Sequence, residues 1–172
     1  LDIIATEFYP SRVRKPVFPV RTMAGHASLM LDQTALSTDR QGMKHSPTSV
    51  RRQYVDGRFG QIHMRVAKPK SESEKIPLLC FHMSPNSSLI YQTFLGHMGV
   101  DRLAVAPDTP GFGESDPPTS QPSISDYAAA MTDVMDALDL KQVDVMGYHT
   151  GSETCVELAL QQPDRLRNLI LT

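Results

Sequence analysis

Five residues constrain this chain more than any others: Gly147-Tyr148-His149-Thr150-Gly151. Before them stands a short strand-like run, Val143-Asp144-Val145-Met146, and after them Thr150 to Gln162 has helical spacing. A backbone that passes from strand to helix in so few residues turns sharply, and its middle residue is held in a strained conformation. The glycines two before and two after keep side chains out of the crowded turn. This arrangement predicts one exposed side chain, His149, at a helix N-terminus where backbone N–H groups are free.

The segments upstream alternate in the same way. Arg52 to Val55, Asp56-Gly57 and Gln61 to Val66 read as a β-hairpin, with Asp-Gly supplying the positive φ of a tight turn. Lys68 to Lys75 is a solvated loop. Ile76 to Phe81 is a continuous apolar run, as a buried parallel strand should be. Leu89 to His97 reads as a short helix and Arg102 to Ala106 as the next strand. Ser123 or Ser125 caps a helix running to about Leu138, with Tyr127, Met131, Val134, Met135 and Leu138 at helical spacing. Pro163 ends the helix that starts at Thr150, and Leu166 to Leu171 is a sixth strand. Strands alternating with helices imply right-handed crossovers. The fold class is α/β, a mostly parallel sheet with an N-terminal antiparallel hairpin and helices on both faces.

The chain has 172 residues, enough for one domain with a real core. Residues 1–49 lack a sustained period and carry Pro10, Pro16, Pro19 and Pro47, so they read as an extension or arm. The core is 50–172. Met43 is a plausible alternative start, and a first residue of Leu fits a processed chain. The net charge of −2 gives no electrostatic reason to expect nucleic acid or an anionic membrane as partner. No stretch approaches the roughly 20 apolar residues of a membrane span, and Leu1-Asp2-Ile3-Ile4 lacks the basic flank of a signal peptide. Cys80 and Cys155 each sit in an apolar segment and read as buried structural thiols, without metal-type Cys/His spacing. The nine methionines, mostly at core spacing, read as packing. A reducing cytoplasm fits these cysteines.

Three loops follow the C-terminal ends of parallel strands, where ligands bind in open α/β sheets. They are His82-Met83-Ser84-Pro85-Asn86-Ser87-Ser88, Asp108-Thr109-Pro110-Gly111-Phe112-Gly113-Glu114-Ser115, and Gly147 to Ser152. In that order they resemble the α/β-hydrolase superfamily: its H-G-x-P oxyanion loop, its D-x-P-G-x-G-x-S loop and its nucleophile elbow. The likeness covers about Val50 to Thr172, with the hairpin matching the first two strands of the family. It implies that His149 holds the nucleophile position. It also implies that the N–H groups of Ser84 and Thr150 form the oxyanion hole. In this likeness His82 supports its loop, Asp108 shapes the pocket floor and Tyr148 packs beside the elbow. His63 and His97 read as ordinary surface or strand residues.

The chain departs from the family pattern at several points. Histidine replaces the usual serine, cysteine or aspartate at position 149, and Met83 replaces the usual glycine. A nucleophilic His passing through an acyl-imidazole is chemically allowed. An exchanged dyad is the sharper alternative, with Ser84 on the oxyanion loop and His149 as its base, since imidazole suits base work near neutral pH. Plain loop or capping roles for Ser84 and a tolerated histidine at 149 remain open beside these. Thr150 and Ser152 read as serving the helix start, although either hydroxyl could stand in as nucleophile. Asp164 precedes the last strand, at the wrong end of the sheet, so no later Asp or His in this chain is placed to complete a triad, and the sheet stops at its sixth strand, truncated relative to the family. Leu166, Leu169, Ile170 and Leu171 are then expected to form an apolar edge.

Three functions fit these residues. The first is a cofactor-independent hydrolase of a small ester, lactone or related carbonyl substrate. The second is a non-catalytic binding module or fragment. The third is a lyase or isomerase using His149 as a base. No dinucleotide or phosphate-binding glycine motif appears, so no cofactor is implied. A small-molecule substrate is the expected partner, with homo-oligomerisation or completion of the sheet by another chain also open.

Overall fold

The computed structural model describes residues 46–172, so the expectations for the arm lie largely outside the described residues. Six strands form one sheet in the order β1-β2-β4-β3-β5-β6. These are β1 (Val50–Gly57), β2 (Gly60–Ala67), β3 (Leu78–Phe81), β4 (Ala104–Pro107), β5 (Val143–Gly147) and β6 (Leu166–Leu171). The β1–β2 hairpin and the β2–β4 contact are antiparallel, and β4, β3, β5 and β6 run parallel. Every residue of β3 and of β4 is buried. That is why these strands read as unbroken apolar runs: both of their faces are covered.

Side chains alternate across the sheet and build two cores. Leu79, Phe81, Val105 and Val145 point to one face. They meet Met131, Val134 and Met135 of α2 (Ile124–Ala137) and Cys155 and Leu158 of α3 (Thr150–Gln161). Leu78, Cys80, Ala104 and Ala106 point to the other face, against Tyr91 and Leu95. Leu95 lies on α1 (Gln92–Met98), which follows a 3₁₀ turn at Ser88–Tyr91. Burying a side chain such as Leu79 or Leu158 contributes about 1.5–3 kcal/mol. The α2 helix starts where a capping residue was expected. The Ser123 hydroxyl accepts the Asp126 N–H while the Asp126 carboxylate accepts the Ser123 N–H, a reciprocal cap. Both cysteines are free and buried, and burial pushes their thiols up.

Two expectations need correction. The hairpin turns at Arg58-Phe59, not at Asp56-Gly57, and Gly60 takes the positive φ of +113°. The reason is tertiary. Asp133 of α2 accepts the Arg58 backbone N–H and two guanidinium bonds at 2.8–2.9 Å, fixing the turn two residues later. The apolar edge is also smaller than expected: Leu166 and Leu169 are buried in the core shared with α3, while Ile170 stays exposed.

The topology places the functional site. From β3 the chain crosses one face through α1 to reach β4 on one side. From β5 it crosses the opposite face through α3 to β6 on the other side. Neighbouring strands whose connections leave in opposite directions open a crevice at their C-terminal ends. The loop after β3 and the turn after β5 therefore face each other across it.

Candidate active site

The turn after β5 is as sharp as its glycines require. His149 has φ 53° and ψ −119°, a region that side-chain-bearing residues rarely occupy. Its side chain is exposed, and the residue caps α3 without a side-chain hydrogen bond of its own. A Cβ at Gly151 would collide with the carbonyl oxygen of Phe81, and one at Gly147 with the backbone of Gly151. Only glycine permits β3, β5 and α3 to approach this closely.

Hydrogen bonds lock the turn from both sides. The His149 N–H donates to the Thr172 carbonyl at 2.9 Å, and the Thr172 N–H donates to the Gly147 carbonyl at 3.0 Å. The Tyr148 N–H donates to Phe81 O on β3 at 3.1 Å. Ser152 donates its hydroxyl to the Gly147 carbonyl at 2.9 Å, so that hydroxyl holds backbone in place. Tyr148 is 45% exposed.

Across the crevice lies the loop after β3. The Ser84 N–H donates to Thr150 Oγ1 at 2.7 Å, which joins the two segments directly. Ser84 and Thr150 are both half-buried. Thr150 opens α3, so its own N–H is one of the helix's free donors. Among the described residues no hydrogen bond joins the Ser84 hydroxyl to the His149 ring.

Below this layer, buried polar groups set the loops. His82 donates from Nδ1 to the carbonyl of half-buried Met83 at 2.9 Å, and its Nε2 accepts the Thr109 N–H at 3.0 Å. Both bonds require one neutral tautomer, and burial holds its pKa below the ordinary histidine value. Asp108 is 1% exposed. It accepts the Ser88 N–H at 2.6 Å, the Glu114 N–H at 2.9 Å and His63 Nδ1 at 2.8 Å. Burial alone would raise its carboxyl, but these donors outweigh it and hold the pKa below the usual carboxylate range.

His63 was not expected here. The alternation Ile62-His63-Met64 suggested a residue facing outward, yet His63 is 1% exposed. The Asp108-to-Ser115 loop folds over that end of β2, and Ser115 accepts the His63 N–H at 3.0 Å. The signal in the sequence was Asp108 itself, a buried carboxylate that must find donors.

A surface depression of about 650 Å³, lined by Ser46, Thr48, Lys70, Lys75 and Asp101, opens at the N-terminal ends of β3 and β4. It lies at the wrong end of the strands to serve this chemistry.

The sequence profile described as alpha/beta hydrolase fold matches residues 76–172, more than half of the chain. The chain belongs to the α/β-hydrolase fold family. Among its relatives, the 2-hydroxymuconate semialdehyde hydrolase of Pseudomonas putida is 32% identical over 103 residues, 58% of this chain and 37% of that protein. The haloalkane dehalogenase of Mesorhizobium japonicum is 28% identical over 92 residues, 54% of this chain and 30% of that protein. Among solved structures, carboxylesterase CesB of Bacillus subtilis superposes with TM-score 0.62 and 26% identity over 70% of this chain and 41% of that one. The N-acyl homoserine lactonase AidH complexed with N-butanoyl homoserine gives TM-score 0.60 and 30% identity, covering 67% of this chain and 43% of that one. The chain spans between 20% and 40% of the length of the curated relatives it matches. Among the described residues no helix is long and apolar enough to cross a membrane.

Proposed function

We propose that the protein hydrolyses a small ester, lactone or related carbonyl substrate in the crevice between the loop at Ser84 and the turn at His149. One observation carries this reading: the strained backbone at φ 53° leaves the His149 side chain exposed on the same turn whose next residue, Thr150, meets the Ser84 N–H at the start of α3. The lactonase and carboxylesterase among the similar structures act on carbonyl compounds of this class by name, which supports the choice.

The reading assigns roles as follows. The substrate carbonyl oxygen lies on the N–H groups of Ser84 and Thr150. Each such donor is worth roughly 3–4 kcal/mol where one has been removed. The Ser84 hydroxyl attacks the carbonyl carbon and His149 takes the hydroxyl proton. The tetrahedral oxyanion collapses, the carbon–oxygen bond to the leaving group breaks, and His149 returns the proton to that alkoxide. Water then attacks the acyl-serine with His149 again as base, releasing the acid and restoring Ser84. No cofactor enters these steps. His82, Met83 and Asp108 act only by holding the loops. Two unpaired thiols fit a cytoplasmic location.

The test is turnover of an ester and lactone panel by wild type, Ser84→Ala and His149→Ala. Both variants are expected to lose at least ~100-fold in kcat/KM. Full activity in Ser84→Ala with loss in His149→Ala would replace the dyad by direct attack from His149 through an acyl-imidazole. Full activity in both would end the assignment of this crevice.

A further inference from the structure

The Ser84 amide is already occupied. Its N–H points at Thr150 Oγ1 across only 2.7 Å, where an incoming carbonyl oxygen bonded to the same hydrogen would have to stand. A backbone amide has one hydrogen, and a good bond needs the acceptor near its line at about 2.9 Å. Two oxygens cannot both stand on that line, and sharing the hydrogen between them would bend and weaken both bonds. We propose that Thr150 gates the oxyanion site: its hydroxyl closes the Ser84 donor in the ligand-free protein and rotates away when a carbonyl or carboxylate oxygen binds. The inference rests on the reading of the Ser84 and Thr150 amides as that site.

Three features favour a gate over a purely structural bond. The bond between the Ser84 N–H and Thr150 Oγ1 is only partly buried, so it is not sealed into the core. The gate requires the Thr150 hydroxyl to leave the rotamer that bonds Ser84, and threonine in helices is found in two χ1 rotamers. The other hydroxyl on the turn, that of Ser152, is turned to the Gly147 carbonyl and leaves the donor alone. Of the two hydroxyls, only Thr150's stands on the donor. Displacing one such bond costs a ligand about three- to tenfold in affinity.

Butyrate is a suitable probe, since its carboxylate presents an oxygen to the same amides. The measurement is an amide-resolved NMR titration of the full ¹⁵N-labelled chain in wild type, Thr150→Val, Thr150→Ala and Thr150→Ser. In wild type, butyrate is expected to shift the Ser84 and Thr150 amides. The valine and alanine variants are expected to bind it about three- to tenfold more tightly, with serine close to wild type. Alanine beside valine keeps the test usable if one of them folds poorly. Equal affinity in wild type and both apolar variants, with the Ser84 amide still shifting, would overturn the gate and leave the oxyanion reading intact. Weaker binding in those variants would also overturn it, by making the hydroxyl a donor to the ligand. If butyrate leaves the Ser84 and Thr150 amides unmoved in every variant, the oxyanion reading falls and the gate with it.

Discussion

The carbonyl oxygen of Thr172 accepts the N–H of His149 at 2.9 Å, so the strained residue of the turn is tied to the residue directly after β6. The turn is therefore held by neighbouring strands as well as by bonds of its own, such as that from the Gly151 N–H to the Tyr148 carbonyl at 3.0 Å. Strain of this kind persists only where the surroundings over-determine the backbone.

That relationship predicts a split between stability and activity at position 149. A non-glycine residue at φ 53° and ψ −119° costs about 1–3 kcal/mol, and glycine relieves it. Glycine returns part of this through greater freedom in the unfolded chain. His149→Gly is expected to stabilise the protein by about 1 kcal/mol in urea denaturation while abolishing turnover of the ester panel.

Gly151 gives the opposite sign. Replacing a helical glycine by alanine ordinarily gains up to about 1 kcal/mol. Here the new Cβ would collide with the Phe81 carbonyl and lie 2.9 Å from that of His82, and both are backbone atoms at the end of β3. Neither can yield without shifting the sheet. Gly151→Ala is expected to cost more than about 2 kcal/mol, read from the denaturation midpoint.

Asp108 should contribute to the acid limb of stability. Its carboxyl is pushed up by burial but pulled further down by donors from Ser88, Glu114 and His63. A carboxyl with a depressed folded pKa contributes fully above its unfolded value of about 3.9. That contribution fades as pH falls through the lower folded value. Asp108→Asn is expected to lose about 2–4 kcal/mol at neutral pH, because an amide nitrogen would face one of these donors. The variant's stability should fall less steeply than that of wild type below about pH 4.

His82 acts near neutrality. Burial favours its neutral form more than its bond to the Met83 carbonyl favours the charged one, so its folded pKa lies below the unfolded value of about 6.5. Between these two values the unfolded chain binds more protons, and stability rises with pH. Protonation would also place a hydrogen on Nε2, which accepts the Thr109 N–H at 3.0 Å. Wild type is expected to gain stability as pH is raised toward and just past about 6.5. His82→Gln should flatten that rise, and the His82 ring should titrate below the ordinary range by NMR.

Much of this architecture can be read in the residues. The apolar runs of β3 and β4, the cap at Ser123 and the glycines at 147 and 151 each state a local requirement with one answer. A buried strand needs apolar residues on both faces, a helix start needs an acceptor, and a crowded turn needs no Cβ. The order of the three loops then locates the crevice.

Other features depend on partners far away in the chain. The hairpin turns at Arg58 because Asp133, on a helix 75 residues later, holds it there. His63 is buried because the loop from Asp108 to Ser115 covers it, although its place in β2 looks like that of a surface residue.

By itself, then, the sequence determined the strands, the helices and the sharp turn at His149, because these follow from period, capping and the room a glycine leaves. Only the tertiary structure decided that Thr150 stands on the Ser84 amide and that His63 binds Asp108. A hydrogen bond depends on a few tenths of an ångström between groups that the chain order keeps 66 and 45 residues apart. No local pattern records that distance.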